Sequence, residues 1–312
     1  VLRSNAHPDT TQQYVFEDAG KESNGKPIRY SFSKLNGGSL QPIVRSFVTS
    51  GQKIVAVGNL TQYVCNEYAS SYVDSKQRIS PVASAFRMDD CGVLDSTYRL
   101  VDKVGHYSGA GGGIIADACM DKDDGVVLVG SFTSFDGVPV PGMVRLDAGG
   151  NVDHAFLENL GAGPDGNVTM VRYNKALDKM MVVGGFEHVN GQPRQQMAML
   201  NPDGTLDETF VPREIGGGTV NFAQLIDKEK VIVSGTFSTY GGVPRLGFLI
   251  LEMDGMAQQK FNVPGAFNGQ LYHVAETETT LGSYGLLLMG SFDRFNGQKA
   301  NNVLMLEVNL DH

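Results

Sequence analysis

Tryptophan is absent from this sequence, which excludes the S-x-D-x-G-x-T-W box of sialidase-type propellers. Cysteine is scarce: Cys65, Cys91 and Cys119 are too few, and odd in number, to define a disulfide scaffold. Cys65 and Cys91 could pair across a long loop in an oxidising compartment, or all three could be unrelated thiols. Histidine is limited to His7, His106, His154, His188, His273 and His312, with no H-E-x-x-H and no paired His/Cys spacing, which argues against zinc. No run of 18 apolar residues exists to span a bilayer. Basic residues are outnumbered 25 to 34, leaving a formal net charge of -9. That balance argues against nucleic acid and against adsorption to an anionic membrane. No G-x-S-x-G elbow and no P-loop occur. The sequence therefore predicts no catalytic constellation, no metal and no cofactor.

Glycine is abundant, at 39 residues, and has no collagen period. Many turns in a chain that is 41% hydrophobic imply many short strands. Five segments end an apolar strand in Gly, a small residue and an apolar residue: IVAVGNL, VVLVGSF, MVVGGF, VIVSGTF and LLLMGSF. Their marker glycines are Gly58, Gly130, Gly184, Gly235 and Gly290, spaced by 72, 54, 51 and 55 residues. The last four markers are followed by SFDGVP, HVNGQP, TYGGVP and RFNGQK, whose central pairs accept positive φ in tight turns. A third strand comes next (MVRLD, MAMLN, FLILE, VLMLE), then a turn with Gly150, Gly204 or Gly255 at a fixed offset. The unit closes on an aromatic ring three residues past a polar one: Asp153 to Phe156, Asp207 to Phe210, Gln258 to Phe261, and in the first unit Asp95 to Tyr98. An opening strand precedes each marker: PIVRSF, GIIADA, NVTMVR, TVNFAQ and QLYHVA.

Four short strands per unit of about 50 residues, with no helical periodicity, predict an all-β β-propeller of four-stranded antiparallel blades. A partial copy at the N-terminus, from Tyr14 to Leu40, and a C-terminus that stops after a third strand favour six blades over five, closed by strands from both ends. The expected organisation is a tail over 1–13 and one propeller domain over 14–312. Its units lie near 14–40 (partial), 41–104, 113–157, 167–211, 218–262 and 270–308.

The copies MLNPDGTLDETF (Met199–Phe210) and RLDAGGNVDHAF (Arg145–Phe156) are the clearest, with degenerate forms at Leu251–Phe261 and Phe86–Tyr98. This pattern resembles the delta-60 repeat family of bacterial propeller proteins, along nearly the whole chain from Tyr14. The resemblance implies a secreted or surface protein, on the cell surface, outer-membrane-anchored or periplasmic, with an interaction role. It implies nothing about a particular ligand. A chain starting at Val1 with a polar stretch is read as trimmed, either a processed secreted protein or a cloned fragment.

Asp95, Asp153 and Asp207 recur in register and are expected to accept backbone N–H bonds in turns rather than to hold a metal. The acidic clusters at 121–125 and 164–167 lack the EF-hand spacing and are expected to be turns. The GAGGG run at Gly109–Gly113 lacks a following helical pattern and is expected to be a flexible inter-blade connection. Where the period breaks, the insertion Thr61–Val82 carries Tyr63, Tyr68, Tyr72 and Arg78. Long loops on rigid scaffolds host binding, and Tyr offers a rigid amphipathic surface, so these four are the candidate binding residues. The expected function is a non-catalytic binding or scaffold module, monomeric, whose partner is a polysaccharide or another surface protein. The alternatives are a propeller glycosidase or lyase, and a purely structural domain.

Overall fold

The computed structural model describes residues 12–21, 25, 27–33, 36–67, 76–99, 107–258, 267–279 and 282–307. Contacts divide the chain into two compact units: residues 1–110 with 149–151, and residues 111–148 with 152–312.

In the first unit, Arg45–Val48, Ile54–Val57 and Ala85–Met88 form an antiparallel sheet with Ile54–Val57 in the middle. The insertion is a second hairpin, Gln62–Glu67 on Lys76–Pro81. The N-terminal segment pairs Gln12–Lys21 with Pro27–Ser33, so the strand begins two residues before Tyr14. The second unit repeats the meander three more times, on Val126–Gly130, Lys179–Gly184 and Lys230–Gly235 as middle strands. Its last sheet pairs Phe267–Glu278, Gln298–Lys299 and Val303–Glu307 with the long strand Tyr284–Phe295. The middle strands are apolar runs because both faces are covered: Val126, Val127, Leu128 and Val129 are all fully buried.

The marker glycines have one physical cause. Gly130, Gly184, Gly235 and Gly290 each sit opposite a β-bulge in the opening strand. A Cβ there would lie 1.9–2.1 Å from the carbonyl oxygen of Ile114, Asn167, Thr219 or Gln270. The N–H of each marker donates across to the residue just before the third strand. The five acceptors are Ser84, Gly142, Gln196, Gly247 and Asn302, all in left-handed backbone. The dipeptides Asp136-Gly137, Asn190-Gly191, Gly241-Gly242 and Asn296-Gly297 have positive φ at both residues, as the tight hairpin turns require.

Two expectations are corrected. In four of the units the fourth strand is a single bridge: Met88 to Leu94, Leu146 to Val152, Leu200 to Leu206 and Leu251 to Ala257. The chain then turns instead of extending, because Asp95, Asp153 and Asp207 draw in the backbone N–H of Thr97, Phe156 and Thr209 at 3.0, 3.1 and 2.9 Å. A helix, His154–Leu160, also forms where none was predicted. Asp153 caps its start, Gly161 ends it, and Phe156 and Leu160 are its buried face. Seven residues are too few to register as a helical period.

The closing aromatics lock one repeat to the next. A side chain at Gly150 would strike the Tyr98 ring, and one at Gly204 would strike Phe156. In the second unit the opening strands lie beside one another. Asp117 Oδ2 accepts from Val171 N at 3.2 Å, and Gln224 exchanges two hydrogen bonds with the Val274 backbone.

The GAGGG run is a correction too. It is tied down: Gly111 O accepts from Thr133 N at 3.0 Å, and Gly113 packs against Ser131 O, leaving no room for a Cβ.

Candidate functional site

The insertion places its candidate residues differently from one another. Tyr63 is 1% exposed and packs edge-on against Phe86, 4.9 Å between centroids. Its hydroxyl donates to Gly92 O, and burial pushes its pKa up to about 12. The expectation that Tyr63 presents its ring at the surface is therefore corrected. In a strand pair that packs on the core, alternate residues must point inward, and Tyr63 is one of them. Arg78 is exposed on the facing strand, paired in register with Cys65. Tyr68 and Tyr72 lie outside the described residues. The structure brings Tyr63 and Arg78 to one cavity of about 210 Å³, together with Asn36, Cys65 and Cys91. Cys65 and Cys91 are thiols at this cavity, not a disulfide, and Cys119 is a buried thiol in the second unit.

The recurring aspartates are structural in geometry. Asp95 Oδ2 receives Lys53 Nζ at 2.5 Å and Arg87 Nε at 2.9 Å. Asp153 receives Arg145 at 2.6 Å, and Asp207 receives Lys179 at 2.7 Å. The cation comes from the start of the middle strand (Lys53, Lys179) or from the third strand (Arg87, Arg145). Where the middle strand has Gly125 in place of lysine, the Arg145 guanidinium occupies that space. Burial disfavours charge on all three carboxylates, but the hydrogen bonds outweigh it and hold each below the usual carboxylate range. The acidic clusters also cap turns. Asp121 Oδ1 accepts from Asp123 N and Gly125 N, each at 2.9 Å. Asp165 accepts from the N–H groups of Glu187 and His188, which with the His188 ring lowers its pKa to about 2.

A larger cavity, about 500 Å³, lies wholly in the second unit, within the ~300–1,000 Å³ range of small-ligand sites. Its polar lining comes from Thr169, Glu187, Gln196, Thr219, Asn221 and Gln270. Phe186 and Val220 reach it from the core, and Gly185 forms part of its wall. The opening strands supply Thr169, Asn221 and Gln270, while Gly185, Glu187 and Gln196 come from the link between a middle and a third strand. The left-handed φ of Gln196 turns that link. Gln196 Oε1 accepts from Val220 N at 2.7 Å, which fixes the amide orientation and leaves its NH₂ to donate. Glu187 is the one carboxylate in the lining, and no lysine or arginine joins it.

None of these residues stood out in the sequence, because each belongs to the periodic part. One signal was present: the residue after the marker glycine is Asn59, Ser131, Thr236 or Ser291 elsewhere, and Gly185 here.

The family model for a domain of unknown function (DUF5122) beta-propeller matches residues 122–156 and 178–210. Those stretches run from the middle strand to the closing aromatic of two successive repeats, and the match supports a propeller-type repeat family. No curated protein matches the chain. Among 15 matching chains of solved structures is the endo-arabinase from Bacteroides thetaiotaomicron VPI-5482. It is 8% identical over 88% of this chain and 77% of that one, with a TM-score of 0.25. At that score the likeness carries no argument about activity. Among the described residues no helix is long and apolar enough to cross a membrane.

Proposed function

We propose that the chain is a non-catalytic binding module of a bacterial envelope protein that recognises a glycan or a surface protein. Its repeats are of the delta-60 type, in a six-bladed propeller closed by strands from both ends. The observation that carries the binding reading is the 500 Å³ cavity, lined by neutral amides and hydroxyls with Glu187 as its one carboxylate. A glycosidase needs a second carboxylate about 5–10 Å away to act as nucleophile or base. The envelope location rests on the resemblance of the repeats and on the acidic composition. An array of oligosaccharides and envelope proteins, run beside a reducing-end release assay, tests the proposal. Retention of one class of ligand without release of new reducing ends is expected. Release that disappears in Glu187→Gln would establish the enzyme instead, and an array with nothing retained would leave only a structural domain.

A further inference from the structure

Glycine is needed where φ is positive or where a Cβ would collide with a neighbour. Gly184 meets the second condition, since a Cβ would sit 2.1 Å from Asn167 O. Gly185 meets neither. Its backbone is outside the left-handed region, and a Cβ built on it would have nothing within 4 Å. A glycine that the native backbone does not require only enlarges the unfolded ensemble and so lowers stability. In two other repeats a hydroxyl occupies this position and caps the opening strand. Ser131 Oγ accepts from Ile114 N at 3.1 Å, and Thr236 Oγ1 accepts from Thr219 N at 3.0 Å. Gly185 offers the corresponding Asn167 N–H no such oxygen, and the space of the missing side chain opens into the cavity.

The lining defines what can enter. The Gln196 amide, held by Val220 N, presents two fixed N–H donors. Asn221 stands on the adjacent opening strand, and the Thr169 hydroxyl donates to Val183 O at 3.2 Å, leaving its lone pairs free to accept. Glu187 adds an acceptor. The lining thus holds both donors and acceptors, and no cation to neutralise an anionic ligand. Vicinal hydroxyls, each both donor and acceptor, match such a lining.

Resting on the binding reading above, we infer that this cavity takes a neutral, polyhydroxylated sugar chain, and that Gly185 is the specificity-determining residue that admits it. A sugar edge fills the volume that Ser131 or Thr236 fills in its own repeat. The Asn167 N–H is then available to a ligand oxygen.

The test titrates the full chain and its Gly185→Ser variant with cellotriose, xylotriose and triacetylchitotriose by calorimetry, with thermal unfolding measured in parallel. The wild type is expected to bind at least one of the three. Gly185→Ser, which has room to fold and regains the cap, should bind it about tenfold more weakly or worse. Its unfolding midpoint should be unchanged or higher. Equal affinity of the two forms overturns the inference while the binding reading stands. A wild type that binds none of the three also overturns the inference, and the array then decides the broader reading by itself. A lowered unfolding midpoint in the variant would show that Gly185 is needed for folding, and that too overturns it.

Discussion

Replacing Arg194 with methionine should make the protein more stable. The N–H of Arg194 donates to Glu187 O at 2.9 Å, at the exit of the short hairpin. Val82, Val140, Arg245 and Ala300 make the same backbone bond to Thr61, Thr133, Ser238 and Asp293, so the five positions are equivalent. Val82, Val140 and Ala300 are buried and apolar. Arg194 is only 4% exposed, yet it carries a guanidinium. Its Nη1 donates to Pro193 O at 2.7 Å, and its Nε is buried with no acceptor among the described residues. Burial lowers its pKa, against the pull of Glu208 and Asp207. Asp207 is already engaged by Lys179 at 2.7 Å and does not depend on Arg194. A buried donor left unmade costs about 1–3 kcal/mol. The bond to Pro193 returns about 1 kcal/mol, and that exposed carbonyl can be rehydrated. The net gain for Arg194→Met is up to about 2 kcal/mol, toward the lower end of the ~1–4 kcal/mol seen when buried charges give way to apolar side chains. With no tryptophan in the chain, urea unfolding followed by far-UV circular dichroism is the assay. The midpoint should rise with an unchanged slope. Arg245→Met is the control, because Arg245 is half-exposed and makes the same bond, to Pro244 O, at 2.8 Å. It should change stability by less than about 0.5 kcal/mol. A loss of about 1 kcal/mol or more in Arg194→Met, or equal gains at both sites, would refute the reasoning.

Gly130→Ala and Gly184→Ala should each cost about 1–3 kcal/mol or more, since the new Cβ meets a carbonyl oxygen, whereas Gly185→Ala should gain about 0.4–1 kcal/mol. Thermal unfolding of the three variants checks the contrast. Asp95, Asp153 and Asp207 have folded pKa values below their unfolded ones, so their stabilisation is complete above about pH 4 and is lost as pH falls below it. The triple Asp→Asn variant should be less stable at pH 7 and should show a shallower fall in unfolding midpoint from pH 4 to about pH 2. Tyr63→Ala should cost about 3–5 kcal/mol by emptying a core site, so a test of the insertion as a binding loop must use Tyr68→Ala and Tyr72→Ala alone. Ellman's reagent should label Cys65 and Cys91 in the folded protein and reach Cys119 only on unfolding, because burial encloses that thiol and pushes its pKa up.

The repeat itself was legible because its punctuation is local chemistry. Asp136-Gly137 and Asn190-Gly191 read as tight turns and adopt the positive φ values such turns need. Asp95, Asp153 and Asp207 read as turn carboxylates and accept backbone N–H groups two or three residues ahead. The insertion read as an extension between the middle and third strands, and it is a hairpin there. The order of strands and the register of the markers were thus set by residues near one another in the chain.

The closing segments were not legible in the same way. Val152 and Leu206 look like strand residues, yet each makes one bridge, because the aspartate that follows wins the backbone. Tyr63 looked like a surface aromatic, and only the packing of its hairpin onto Phe86 turned it inward. The same holds for Arg194, where the sequence names an arginine but not the burial that leaves its Nε without an acceptor among the described residues. The larger cavity depends on Gly185, Asn221 and Gln270, which lie far apart in sequence on different repeats. The sequence by itself determined the period, the turns and the short-range hydrogen bonds, since those depend on φ preferences and side chains a few residues apart. Only the tertiary structure decided which side chains are buried and where space is left over, because burial and voids are properties of how distant segments pack.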